Sequence, residues 1–93
     1  MGLNNTGMYS IELKPRASKF IEAQPAKIQR QLFTHIEALA LNPRPVGCKL
    51  LHTEEKLYRI RSGNYRIIYQ IQDKILLVVT VKVGNRKNIY RHL

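Results

Sequence analysis

Ninety-three residues allow one hydrophobic core and leave no room for a second domain. Sixteen Lys and Arg against six Asp and Glu give a formal charge of +10, a field suited to a polyanion, either nucleic acid or an acidic protein chain. The single cysteine, Cys48, excludes a disulfide framework and reads as a small buried hydrophobe in the cytoplasm, and the longest apolar run, Ile75 to Val83, is too short to span a bilayer.

The charge is uneven. From Gly47 onward there are 10 basic and 3 acidic residues, against 6 and 3 from Met1 to Val46, so the second half is where a site is expected. Residues 1–7, "MGLNNTG", are polar and without periodicity and read as a disordered leader or a non-native extension, with the domain proper over residues 8–93. "MYSIELK" then alternates Tyr9, Ile11 and Leu13 against Ser10, Glu12 and Lys14, the period of a half-buried strand.

Pro15 suits the first position of a helix, and Pro25 opens another. In the second helix Ile28, Leu32, Ile36 and Leu39 form one apolar stripe, widened by Phe33 and Ala40. "NPRPVG" ends it, because Pro43 and Pro45 cannot continue a helix and Gly47 permits a turn. The period then changes to two. "CKLL" reads as a short strand, "HTEEK" as a polar loop, and Leu57–Ser62, Tyr65–Gln72 and Ile75–Val83 as three strands joined by "GN" and "DK" turns. The predicted fold is α+β: a strand, two helices and a β-meander, with an antiparallel-rich sheet carrying the helix pair on one face.

A two-residue turn at Gly63 and Asn64 sets Ser62 opposite Tyr65, Arg61 opposite Arg66, Ile60 opposite Ile67 and Tyr58 opposite Tyr69. Tyr58, Ile60, Ile67 and Tyr69 then share the core face, and Arg59, Arg61, Arg66, Ile68 and Gln70 the other. Like charges directly opposite one another destabilise a sheet. Two accounts stand: the arginines pair with Glu54 or Glu55 as ordinary surface charge, worth roughly 0 to 1 kcal/mol each, or they bind an anion. A three-residue turn would shift the register and part Arg61 from Arg66. Beyond the last strand, Gly84 is expected to end the ladder and release Arg86, Lys87, Tyr90 and Arg91, cations and an aromatic that suit phosphate and an unpaired base.

"YRIRSGNYRIIYQI" from Tyr58 to Ile71, then "VGNRKNIY" from Val83 to Tyr90, after a strand, two helices and "NPRP", resembles the RelE branch of the RelE/ParE bacterial toxins. The resemblance covers residues 8–93. It implies a ribosome-dependent messenger RNA endonuclease held silent by a cognate antitoxin, acting at the A site of the small ribosomal subunit, where a ribose 2′-OH attacks the adjacent phosphorus. Arg61, Arg66, Arg86 and Tyr90 would be the catalytic set, with Arg59, Lys82, Lys87 and Arg91 binding RNA. The gyrase-directed ParE branch, which acts by binding alone, is the other function the resemblance offers.

One departure bears on mechanism. The best-known relatives carry lysines where this chain has Arg59 and Arg61, and arginine is too weak an acid to cycle as a base. The base is unassigned: a ribosomal group, Tyr90 or electrostatic acceleration alone could serve. His35 falls within the second helix, where a helix-surface role is expected, His52 in the loop before the hairpin, and His92 beside the tail as an outside candidate. One Cys, scattered His and no carboxylate cluster give no metal site, and no cofactor is expected.

Overall fold

The computed structural model describes residues 8–91, so the expectations for residues 1–7 and for His92 lie outside it. β1 (Ser10–Leu13) is followed by α1 (Pro15–Glu22) and α2 (Ala26–Ala38), then β2 (Lys49–Leu51), β3 (Leu57–Ser62), β4 (Tyr65–Gln72) and β5 (Leu77–Asn85). The five strands form one sheet in the order β1-β5-β4-β3-β2. The meander is antiparallel throughout, while β1 joins the far edge parallel to β5.

Each helix starts where proline permits. Pro15 occupies the first turn of α1 behind an extended Lys14, and Pro25 caps α2. Ala17 and Ile21 from α1, with Leu32 and Ile36 from α2 and Leu39 just past its end, bury against Ile60, Ile67, Tyr69, Val78 and Val83 of the sheet. At roughly 1.5–3 kcal/mol per buried large aliphatic or aromatic side chain, this layer carries most of the fold. Tyr69 is fully buried; its hydroxyl donates to the Pro43 carbonyl (2.7 Å) and its ring stacks on Tyr58 at 5.8 Å, which fastens the proline loop to the sheet. Gly47, at φ +94°, supplies the left-handed backbone that turns this loop into β2.

The hairpin register is the expected one: Ser62 with Tyr65, Arg61 with Arg66, Ile60 with Ile67, Tyr58 with Tyr69. Gly63 alone of the two turn residues has a positive φ (+60°), the requirement of a II′ turn. The β4–β5 connection differs from expectation. Asp73–Ile75 makes a 3₁₀ turn and Leu76 takes a left-handed φ of +50°, so the connection consumes four residues and β5 begins at Leu77, not Ile75. Its other end also moves. Gly84 lies inside the strand opposite Arg66, and pairing continues to Asn85. A bulge between Ile68 and Tyr69 leaves Val81 without a partner, so Lys82 pairs with Ile68 and Thr80 with Tyr69.

Candidate active site

The face of the sheet away from the helices is where the predicted cations gather. Arg59, Arg61 and Arg66 alternate outward from the core residues Ile60 and Ile67, as period two requires, and Lys49 of β2 stands beside Arg59 in register. This face also holds a second, small apolar cluster. Leu57, Ile68 and Ile89 are buried together there, with Leu51 and Val81 packed at the side.

Ile89 belongs to the turn after β5, which folds back over the sheet. A Cβ placed on Gly84 would sit 3.1 Å from Ile89 Cδ1, so glycine at 84 lets the turn lie flat on the strand that precedes it. The Arg86 amide donates to the Asn64 carbonyl (2.9 Å) at the hairpin tip, and the Ile89 amide to Asn85 (3.0 Å). The Lys82 ammonium donates to the Arg91 carbonyl from beneath. These contacts hold Arg86 and Tyr90 at the arginine end of the face.

Arg66 is the centre of the assembly. Partial burial lowers the affinity of its guanidinium for its proton, and the like charges of Arg61, Arg59 and Arg86 act in the same direction, opposed by the Tyr90 phenol. Four of the other seven predicted site residues therefore lie within electrostatic reach of Arg66. The Arg66 guanidinium donates to the carbonyls of Gly63 (3.0 Å) and Tyr65 (2.9 Å), which fixes its position on the turn.

The surface-pairing account fails. Glu55 accepts from Gln70 (2.9 Å) rather than from an arginine, and among the described residues the one ion pair is Arg44 with Asp73. Four guanidinium groups converge without a carboxylate. Such a site can neutralise a phosphate and stabilise the extra charge of a pentacovalent phosphorus.

Some predicted residues are placed differently. Arg59, expected on an open surface, is 7% exposed, and its Nε has no hydrogen-bond partner. Lys82, expected to contact RNA, spends its ammonium on Arg91; burial and then Arg16 lower its pKa, and its visible work is holding the turn. Lys87 and Arg91 are exposed on the turn, and Tyr90 is 48% exposed beside them. His35 is more than a surface residue, because its Nδ1 lies 2.7 Å from Ser62 Oγ on the strand next to the arginines. Ile89 was not singled out in sequence; an isoleucine alone in a polar tail was the available signal.

A model of the family described as "ParE toxin of type II toxin-antitoxin system, parDE" matches residues 11–90. The chain belongs to the RelE/ParE toxin superfamily. The curated toxin RelE1 of Methanocaldococcus jannaschii is 24% identical to this toxin over 87 residues, 90% of this chain and 97% of that one. The archaeal RelE of the RelE–RelB complex from Pyrococcus horikoshii shares the fold at a TM-score of 0.76, with 24% identity, 87% of this chain and 98% of that one covered. The toxin of the intact E. coli RelBE complex superposes at 0.71 with 28% identity over 83% of this chain and 95% of that one. Among the described residues no helix of this RelE/ParE toxin is long and apolar enough to cross a membrane.

Proposed function

We propose that this toxin is a ribosome-dependent endoribonuclease of the cytoplasm that cuts messenger RNA in the A site and so stops translation. The observation that carries the reading is the convergence of Arg59, Arg61, Arg66 and Arg86 without a carboxylate, next to a half-exposed Tyr90. In the reaction a ribose 2′-OH loses its proton and attacks the adjacent phosphorus. The bond to the 5′ oxygen breaks, leaving a cyclic phosphate on one fragment and, once that oxygen is protonated, a 5′-OH on the other. Arg61, Arg66 and Arg86 would neutralise the phosphorane, and Tyr90 would stack on a base and hold the ribose bent for in-line attack. Arg59, Lys87 and Arg91 would bind the flanking RNA. The guanidinium groups provide charge and no base, so the 2′-OH proton leaves to a group outside this set.

A cognate antitoxin completes the proposal. The E. coli RelBE toxin and the toxin of the Mycobacterium tuberculosis RelBE2 complex, 28% and 25% identical to this chain, are both seen with antitoxins. A formal +10 calls for an acidic or amphipathic partner, which would cover the arginine face or displace the turn that Ile89 and Lys82 hold.

Primer extension on translated messages tests the reading. Cuts within codons are expected, weakened about 10²–10³-fold by Arg86→Ala, the usual loss of one transition-state donor. Intact messages at toxic doses would sink the idea. The match of residues 11–90 to the ParE toxin family favours a second reading, inhibition of DNA gyrase by binding. That reading expects DNA-damage signalling with translation intact.

A further inference from the structure

The arginine face does not end at its own rim. β2 pairs with β3 only as far as Arg59, so the edge of β3 from Ile60 onward is open. At that edge, between the last turns of α2, the Asn42–Gly47 loop and β3, lies a cleft of about 630 Å³. Lys49, Arg59, Arg61 and His35 line it together with Ala38, Leu39, Pro45 and Val46; no carboxylate lines it.

Two observations mark the cleft as built to hold something. Arg59 is more than nine-tenths buried, lines the cleft and leaves its Nε–H without an acceptor, an arrangement that costs free energy unless an acceptor arrives. Val46, which also lines it, is a fully exposed apolar side chain. Gln31 Nε2 donates to Ser62 Oγ (3.1 Å), and His35 Nδ1 lies 2.7 Å from the same hydroxyl, which ties the imidazole to the end of β3. Guanidinium and ammonium groups beside an imidazole and an apolar surface suit a phosphate joined to a flat heterocycle.

A peptide strand added to the β3 edge fits less well. The Ser62 backbone faces Tyr65 across the turn, so beyond Arg59 only Arg61 of β3 turns its N–H and C=O to the open edge, too little for a ladder. We propose that the cleft is a nucleotide subsite, holding one nucleotide of the RNA beside the cut phosphate, its phosphate on Arg59 and Lys49 and its base against Pro45 and Val46. The inference rests on the RNA-cutting reading above, and Arg59 and Arg61, which belong to both the cleft and the arginine cluster, make the two continuous. His35, Lys49 and Val46 thereby acquire a role in choosing the sequence around the cut.

The test reads binding and not cleavage, on the full chain, by amide NMR shifts. Adenosine 5′-monophosphate is expected to move the amides of Ala38, Leu39, Gly47 and Lys49 and to bind at least tenfold more tightly than ribose 5-phosphate, which lacks the base. Val46→Asp, at a position already in water, should remove most of that difference with the fold intact. The trinucleotide ApApA should move the cleft amides and those of Arg86 and Tyr90 together. Equal affinity for the two monophosphates, shifts confined to Arg86–Arg91, a hexaglutamate peptide filling the cleft in place of AMP, or a trinucleotide that leaves the cleft untouched would each overturn the assignment. If AMP and ApApA fill the cleft of a protein that cuts no translated message, the subsite stands and the RNA-cutting reading falls.

Discussion

Arg61→Gln should make the free toxin more stable while disabling it. Arg61 stands directly opposite Arg66, with Arg59 and Arg86 near enough to affect the same guanidinium. Two unit charges roughly 6 Å apart in water repel by about 0.7 kcal/mol, and salt near 0.15 M cuts this to roughly 0.3. Smaller shares from Arg59 and Arg86 bring the relief on removing Arg61 to about 0.5 kcal/mol, rising toward 1 at low salt. For a domain of this size that is a Tm increase of about 2–4 °C at physiological salt and up to about 8 °C at low salt. The assay is thermal unfolding of wild type and Arg61→Gln in 10 mM and 1 M NaCl, beside message cleavage. The variant should melt higher at 10 mM, equal the wild type at 1 M, and cut about 10²–10³-fold more slowly. A variant that melts at or below wild type in low salt, or a gain that persists at 1 M, would refute the charge-repulsion account.

Three further outcomes follow from the same geometry. Ile89→Ala removes a buried side chain from a three-residue cluster, at about 2 kcal/mol. Because the loss falls on the terminal turn, hydrogen exchange at the Arg86 and Ile89 amides should quicken by about thirtyfold while Ile67 and Tyr69 in the sheet hold theirs. Tyr90→Ala should slow cutting by about 5- to 150-fold, the worth of one stacked base, whereas Tyr90→Phe keeps the stacking surface and should retain most of the rate. Arg44, and Tyr9 donating at 2.6 Å, hold the Asp73 carboxyl at a pKa of about 2, below the ordinary carboxylate value. A carboxylate depressed in the folded state contributes stability above its unfolded pKa and loses it as pH falls through the folded one. Thermal unfolding of wild type should therefore decline between about pH 4 and pH 2 more steeply than that of Asp73→Asn, which should be less stable at neutral pH.

Alternation and turn chemistry were enough to place β3, β4 and their register, because a two-residue loop leaves one pairing that keeps Ile60 and Ile67 inside. They could not supply what depends on distant packing. The Val81 bulge, the left-handed Leu76 and the partnership of β1 with β5 are decided by the whole sheet, and nothing local in "ILLVVTVKV" encodes them. The site divides similarly. The residue types and their outward face were readable, but the burial of Arg59 and the plug made by Ile89 were not, since each depends on a neighbour far along the chain. Lys82 shows the risk of counting charges: it lies opposite Ile68 on the arginine face, and the Arg91 carbonyl takes one of its donors.

The parallel pairing of β1 with β5 has a temporal side. Ser10 lies beside Leu77, 67 positions later, so the sheet cannot close until β5 has left the ribosome. The turn carrying Arg86 and Tyr90 comes later still and needs β5 beneath it. The arginine face therefore forms only once β5 has been made, and a partner made earlier meets it as it first forms.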